Sequence, residues 1–577
     1  LLFRHCLTVA IPPFSNVLFL MNASIAIIGS GPTGIYTLKG LIASDRPLRI
    51  TIFERESEPG KGTPYHPHMN DRAMLANIAS IELPPICESM VDWLGRQTDE
   101  TLYELGIARD AIDEREFYPR VVLGDYLKAQ FDLLVSTGIA KGHAIEIKSG
   151  CAVLDMELGE TDIRLVTDDG DGKTEHVIFD HVVMATGHDW PETTEIKPGY
   201  FVSPWPAPIL KTIPACKVGI LGTSLSAIDA LVTIATGHGG FLLDEAGVMQ
   251  YAPSPGSEAL DVTMMSRKGV LPEADFYCEY PYRPLEICTP EAVDHLVATR
   301  RHDLLDAVFD LFKRELAACD PAYAASIGLS LQSVETIGPA YFRARETADP
   351  FVWAATNLAE AEANKANRYI VEWRYAILRM HEVIAGAVSH FHDHDLDRFH
   401  KYFKTLFVDD YATVPHDSIR RLLALRRAGK LSVVALGDES EIDNGSVARG
   451  AVVTAGEEQF VFDAFIDATG QHPLSARDIP FPTLRKQGVI RKASSRVADL
   501  LSEGDDGAIR RTGGVDLDGA FRPIFERPLT NRLYCGSIAF LLHKLPFVQG
   551  ITSARDIGQI ISSTIVADVT AGERVAA

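Results

Sequence analysis

Ser24–Glu54 reads SIAIIGSGPTGIYTLKGLIASDRPLRITIFE. The apolar run Ser24–Ile28 has the pattern of a buried parallel strand. It opens onto Gly29, Gly31 and Gly34, continues through helical sequence to Ala43, and returns in a second strand ending at Glu54. That order is a dinucleotide-binding βαβ unit, and each position has a physical reason. Gly29 permits a tight turn, Gly31 lets a pyrophosphate approach the backbone, Gly34 lets helix pack on strand, and the helix N-terminus faces the phosphates. Pro32 and Thr33 lie beside those glycines as further cofactor contacts, and Glu54 is positioned to accept from a ribose hydroxyl.

Upstream, residues 1–20 (LLFRHCLTVAIPPFSNVLFL) are apolar but broken by Pro12 and Pro13, too short between breaks to span a bilayer. A signal-peptide cleavage site would fall at or inside the first strand and destroy the phosphate site, so the expectation is a disordered leader, with Met21 where such a domain would begin. Downstream, PGKGTPYHPHMNDRAMLANIASIELPP is too rich in glycine and proline to hold a regular element for long. Gly60, Gly62 and Pro64 suit close backbone approach to a flavin. Tyr65 and Asn77 are the candidate catalytic residues, offering polar contacts; Asn77 reads equally well as a buried amide bracing its loop. In FYPRVVLGDYLKAQFDLL, Tyr126, Leu127, Phe131 and Leu134 fall near helical spacing in a helix expected from Gly124, with Arg120 ahead of it.

A β-meander is expected over Cys151–Glu175, around the turn-forming DDGDG. The next strand, in HVVMATGHDWP, ends in Ala185, Thr186 and Gly187, small residues of the kind needed where backbone passes a bound nucleotide. The same signature closes FDAFIDATGQHP, as Ala468, Thr469 and Gly470. Two such strand ends, each preceded by Asp (Asp180, Asp463), suggest paired exits from two nucleotide domains. The second βαβ unit begins at KVGILGTSLSAIDALVTIA. There Gly222, Thr223, Ser224 and Ser226 form the phosphate turn, with Ser224 where the middle glycine belongs. The following strand, DVTMMSRKG, ends in Ser266, Arg267 and Lys268 with no acid at its tip. A hydroxyl and cations there suit a 2′-phosphate, hence NADPH; the alternative is a solvated basic turn.

Between about Thr289 and Gly429 long helical patterns take over. Ile370, Trp373, Ile377, Met380 and Ile384 mark one apolar face, and SIRRLLALRRAGK ends in basic residues before the helix stop Gly429. His390, His392, His394 and His400 crowd together with Asp393, Asp395 and Asp397. Zinc needs a converging set rather than density, and the segment reads as a loop entering an Asp-capped helix, so no metal is expected. Near the C-terminus, NRLYCGSIAFLLHKLPFVQGITSARDIGQII supplies a strand, Gly536, and a helix from about Gln549 and Gly550 whose N-terminus would meet the first nucleotide site.

The 577 residues exceed what one core organises, and 46% hydrophobic content leaves ample material to bury. The expected division is a leader (1–20), an FAD-binding part (21–200), an NADP-binding part (201–289), a helical insertion (290–429), a second NADP-binding part (430–470) and a C-terminal FAD-binding part (471–577). A net charge of −23, from 55 Lys and Arg against 78 Asp and Glu with no long basic run, disfavours nucleic acid and anionic membrane as partners. The eight cysteines show no CxxC or metal-ligand spacing, which fits a reducing cytoplasm and argues against dithiol–disulfide chemistry.

The chain from Met21 to about Ile565 resembles the bacterial FAD-NAD(P)-binding family, in particular its YdhS-like group. The resemblance rests on GxGxxG (Gly29 to Gly34), a GxGxPY loop (Gly60 to Tyr65), LxNxxS (Leu75 to Ser80), the pair Trp93–Leu94 and PRxxxGxYL (Pro119 to Leu127). It implies FAD in the first site and a pyridine nucleotide in the second, within the two-dinucleotide flavoproteins that include N-hydroxylating monooxygenases. Where that pattern carries Gly-Asp on the C-terminal strand, this chain has Gly536 and Ser537. The fold expected is α/β, two Rossmann-like dinucleotide-binding domains with a helical insertion. The function expected is an FAD- and NAD(P)H-dependent oxidoreductase, monooxygenase-like, acting on a small molecule. The alternatives are an NADPH-dependent reductase without oxygen insertion and a flavin-binding regulatory protein.

Overall fold

β1 (Ser24–Ile28) is buried along its whole length and hands the chain through α1 (Pro32–Leu41) to β2 (Arg49–Glu54). The computed structural model describes residues 23–188, 193–470, 474–494, 511–525, 531–542, 545–548 and 550–576; the expected leader and Gln549 lie outside them. α2 (Arg120–Ala140) leads to β3 (Ala144–Ser149), and the antiparallel strands Ala152–Leu158, Ile163–Asp168 and Thr174–Phe179 deliver β4 (His181–Met184). α2 begins at Arg120, after Pro119 as its cap, so Arg120 is the first helical residue and does not precede the helix. Proline fits there because its missing N–H and fixed φ cost a helix start nothing.

The chain then builds a second sheet from β5 (Lys217–Leu221), α3 (Leu225–His238), β6 (Asp261–Ser266), β7 (Leu431–Ala435) and β8 (Ala464–Asp467). Its order is β7-β6-β5-β8, extended by the short strands Tyr200–Phe201 and Glu195–Lys197. The four long strands are mutually parallel, and both faces are covered, which is why their sequences are apolar runs instead of alternations. A second antiparallel meander, Ser440–Asp443, Ala451–Ala455 and Glu458–Phe462, precedes β8 as the first precedes β4. β9 (Leu533–Cys535) returns to the first sheet, whose order is β9-β4-β1-β2-β3, all parallel. The fold is thus α/β with two Rossmann-like sheets, as the glycine patterns predict.

Helices fill the span between β6 and β7, among them α4 (Leu304–Cys319), α5 (Glu372–Val388) and α6 (His416–Arg427). Ile377, Met380 and Ile384 of α5 enter a core with Phe312, Phe403 and Phe407, while Trp373 stacks on Tyr323 at 4.1 Å. The histidine-rich segment enters a helix at Asp393–Arg398. His392 is its cap residue and makes no side-chain capping bond, so the expected Asp cap is replaced, and His392 stacks on His302 at 5.3 Å. The insertion is pinned to the second sheet by Glu273, only 3% exposed, which accepts from Trp353 Nε1 at 2.8 Å and pairs with Arg374. Burial by itself would raise its carboxyl, but Arg374 and Arg345 outweigh burial and hold it down at about 2. In the first unit, α7 (Gly550–Ala576) lies so close on α1 that a Cβ at Gly558 would sit 2.8 Å from Thr37 N. No helix among the described residues is long and apolar enough to cross a membrane.

Candidate functional site

The C-terminal ends of β1, β2, β4 and β9 converge on the Gly29–Gly34 turn. Gly29 has φ of +102°, and a Cβ there would meet Ala185 O at 2.3 Å; at Gly34 it would meet Gly29 O at 2.2 Å. Both positions are therefore glycine for reasons internal to the protein. Gly31 differs: an added Cβ meets nothing nearer than Gly62 Cα at 3.4 Å, so its bareness leaves a cradle for an outside group. Gly31 also caps α1 with no side-chain hydrogen bond, and Pro32 and Thr33 form the first turn, leaving the helix N-terminus to an anion.

Glu54 at the tip of β2 accepts from Ser30 N (3.0 Å) and Ser30 Oγ (2.6 Å) through one oxygen and from Glu56 N (3.0 Å) through the other. A carboxylate has about four lone-pair sites, so one remains for a ribose hydroxyl. Ser30 Oγ in turn accepts from Gly60 N at 2.8 Å, tying the glycine-rich loop to the fingerprint. Gly62, at φ of +79°, packs against Gly31 and Pro32. On the opposite wall Ala185 N donates to Ile28 O, and Gly187 turns at φ of +73° with open space beside it. Gly536 lies against Thr33, and Gly550 begins α7 at φ of +70°. The hydroxyl of Ser537, 2% exposed, accepts from Thr186 N at 2.9 Å, so this residue is taken up in closing the wall. A free helix N-terminus, a bare glycine cradle and a carboxylate with spare acceptor capacity fit the pyrophosphate and ribose of FAD.

The second mouth repeats the scheme at β5, β6 and β8. Gly222 turns at φ of +124°, where a Cβ would meet Ala468 O at 2.7 Å. Ser224 is exposed at the start of α3 and makes no capping bond, and Ser226 follows in the first turn. Thr223 Oγ1 donates to Ser266 Oγ at 3.1 Å. Thr469 closes a turn on Asp467 Oδ1, and Gly470 follows at φ of +102° with open space around it. The two cations after Ser266 diverge. Lys268 is committed to Glu346 at 2.6 Å and lies over the Phe342 ring, whereas Arg267 keeps 60% of its side chain exposed with only the distant Asp438 at 3.8 Å.

Between the mouths lies a buried polar seam. A cavity of about 20 Å³, room for one or two waters, is lined by Leu75 and Asn77 of the first unit, Leu225 and Asp229 of α3, and Ser418 and Arg421 of α6. Asn77 Oδ1 is buried there without a protein partner. Arg120 Nε donates to Leu75 O at 3.2 Å while Arg120 Nη2 meets Asp229 Oδ2 at 2.6 Å, an ion pair joining α2 to α3. Burial pushes the Asp229 carboxyl up to about 6 even though Arg120 pulls it down. Tyr65 is driven up to about 12 by burial, against the pull of Arg120, so near neutral pH its phenol keeps its proton. Asp229 was not a sequence candidate; the available signal was one acid isolated in the apolar helix LSAIDALVTIA. His188 also escaped notice. It follows the first ATG turn, and burial lowers its imidazole to about 4, leaving it neutral with Nδ1 unpartnered among the described residues.

Residues 26–189 match the family model described as FAD-NAD(P)-binding, and residues 289–411 match the YdhS-like middle domain. YdhS of Escherichia coli (strain K12) is 39% identical over 551 residues, covering 95% of this chain and 98% of that protein. Among solved structures, the Kutzneria sp. 744 ornithine N-hydroxylase aligns over 96% of this chain and 100% of its own at 14% identity and a TM-score of 0.47. The ornithine hydroxylase PvdA of Pseudomonas aeruginosa aligns over 94% and 99% at 13% identity and 0.48. The bacillithiol disulfide reductase of Bacillus cereus aligns over 95% and 99% at 12% and 0.40. With 39% identity along nearly the whole of both chains and the matched FAD-NAD(P)-binding domain around the Gly29–Gly34 cradle, this protein belongs to the YdhS family of FAD- and NAD(P)-binding flavoproteins.

Proposed function

We propose that the protein is an NADPH-dependent flavoprotein oxidoreductase of the monooxygenase kind, acting on a small molecule held where the two nucleotide units meet the helical insertion. The observation that supports this reading is the shared seam: Asn77, from the segment beside the flavin loop, and Leu225, from the first turn after the second phosphate turn, line one water-sized cavity, which joins the two units there and is too small to hold the substrate itself. The chemistry supplied by bound FAD is uptake of hydride from NADPH and delivery of electrons to oxygen or an organic acceptor. The protein's part is to hold, orient and keep dry. Gly29 to Gly34 and Glu54 hold one nucleotide. Gly222 to Ser226, Arg267, Thr469 and Gly470 hold the other. Asn77 offers an unpaired amide oxygen to a donor in the seam, and Tyr65, outside the lining of that cavity, keeps its phenol protonated and serves as a hydrogen-bond donor and not as a base. The flanking α3 and α6 narrow that space to the size of a water or two and shut out bulk solvent.

The experiment is NADPH addition to the FAD-loaded protein under anaerobic conditions, followed by admission of oxygen. The expected result is bleaching of the flavin absorbance by NADPH, then NADPH oxidation that releases hydrogen peroxide until an organic substrate is supplied. Asn77→Ala should keep its FAD yet slow NADPH-driven bleaching by about tenfold or more, the scale of a lost positioning contact. Flavin that stays oxidised with NADPH, with candidate amines, amino acids and quinones present, would leave a regulatory flavin-binding protein as the better reading.

Nicotinamide preference rests on Arg267. Its exposed guanidinium meets Asp438 only at the long distance of 3.8 Å among the described residues, so Arg267→Ala should weaken NADPH binding by about 1.5–3 kcal/mol, the worth of a charge-assisted hydrogen bond, and leave NADH nearly unchanged. Equal losses for both nucleotides, read by titration of the flavin-loaded protein, would make Arg267 a structural residue.

A further inference from the structure

We propose that Glu56, His66 and His68 bind one divalent transition-metal ion, zinc by preference, which clasps the flavin loop to the tip of β2. Their ligand atoms all lie within 4.8 Å of one another. His66 carries the argument: it is 7% exposed, and both its ring nitrogens are buried with no hydrogen-bond partner among the described residues. Leaving a buried polar atom without a hydrogen bond is costly, so an imidazole in this position calls for a partner that the described protein groups do not supply. Lys61 does not repel a cation strongly, because its charge is balanced by Glu58 and Asp125, each at 3.0 Å.

The geometry is prepared from both sides. The carbonyl of His66 accepts from Met69 N (3.0 Å), Asn70 N (3.1 Å) and Asn70 Nδ2 (3.1 Å), which fixes the backbone under the buried ring. The His68 ring lies 4.3 Å from it, centroid to centroid, and His68 Nε2 is 3.9 Å from Glu56 Oε1. Bonds of about 2.0–2.1 Å in a tetrahedron put ligand atoms roughly 3.4 Å apart, so the two arms have about an ångström to close. They are the arms free to do so, since His68 has 48% and Glu56 31% of its side chain exposed. Two imidazoles and one carboxylate form a borderline nitrogen–oxygen set that suits zinc, cobalt or nickel over magnesium, with a fourth position left to water.

Glu56 lies two residues beyond Glu54, and His66 directly follows the Gly60–Tyr65 loop that packs on Gly31. A metal held by all three would tie that loop over the first nucleotide site and slow the release of FAD. This consequence rests on FAD occupying the first site, whereas the metal site does not. The test uses FAD-loaded full-length protein, freed of metal by a chelator and titrated calorimetrically with zinc, with magnesium as the hard-cation control. The expected result is one zinc per chain, weaker by about tenfold or more in His68→Ala and in Glu56→Gln, and no magnesium binding. Both variants alter exposed arms, and their flavin-to-protein ratio and melting temperature report intact folding. FAD release after dilution, followed by flavin fluorescence, should slow with zinc in the native protein but not in His68→Ala. Absence of saturable zinc binding, or zinc affinity in both variants unchanged from that of the native protein, overturns the site. Zinc binding without a change in FAD release overturns the clasp.

Discussion

Gly31→Val should purify colourless, with less than about a tenth of its chains carrying FAD, while the rest of the fold stays native. Gly31 has ordinary extended backbone, φ −72° and ψ −174°, which any residue adopts, and its nearest would-be contact is an unstrained 3.4 Å. The added methyls instead project beside the free N-terminus of α1, where a pyrophosphate must approach the backbone. The neighbouring glycine supplies the contrast. Gly34→Ala would drive a methyl to 2.2 Å from Gly29 O, inside the contact of α1 with β1, and should destabilise the whole first unit by about 1–3 kcal/mol or more. The measurement is the ratio of flavin to protein absorbance together with the melting temperature of each variant. A yellow Gly31→Val protein with full FAD would mean that the flavin does not lie on this turn.

These two glycines also show what a single sequence makes legible. Gly29 and Gly222 are called for by the positive φ of their own turns, and Gly34 by the nearness of Gly29 O in the same turn. The residue types therefore announce the turn, and two such turns, each paired with an ATG strand end, announce two Rossmann sheets. The strand Leu533–Cys535 was legible for a similar reason, as an apolar run ending in Gly536. Contacts between units were not. Arg120 and Asp229 belong to helices of different units, and nothing local in either helix names the other as partner. Ser537 could be recognised as a departure from the family pattern, but only the packing of β9 against β4 explains where its hydroxyl goes, onto Thr186 N. Lys268 and Arg267 are adjacent and chemically alike, yet Glu346 takes one and leaves the other exposed. The Glu56–His66–His68 group was hidden because its ligands are split between a strand tip and a loop, while the denser histidines near position 392 drew attention on count alone.

The pair between Arg120 and Asp229 should govern how firmly the two nucleotide units hold together, with a pH dependence whose sign is fixed. Arg120→Met removes the only cation facing the carboxyl among its named influences, leaving Asp229, 6% exposed, with burial alone. Its folded-state pKa, already about 6, then rises further. A carboxyl whose folded value lies above the unfolded value of about 3.9 binds protons more readily in the folded protein. The stability it contributes is therefore fully present below about pH 4 and is lost as pH climbs through the folded value. Arg120→Met should cost about 3–5 kcal/mol at pH 8, the scale for orphaning one partner of a buried ion pair, and distinctly less at pH 5, where Asp229 takes up a proton. The double variant Arg120→Met/Asp229→Asn should recover part of the loss at pH 8 and show little difference between the two pH values. Thermal midpoints of the native protein, Arg120→Met and the double variant at both pH values test this. NADPH-driven flavin bleaching should fall in step with the loosened seam, since Arg120 also holds Leu75 O two residues from Asn77. An equal loss of stability at pH 5 and pH 8 in Arg120→Met would mean that Asp229 carries no charge in the folded protein and that the seam is held by packing alone.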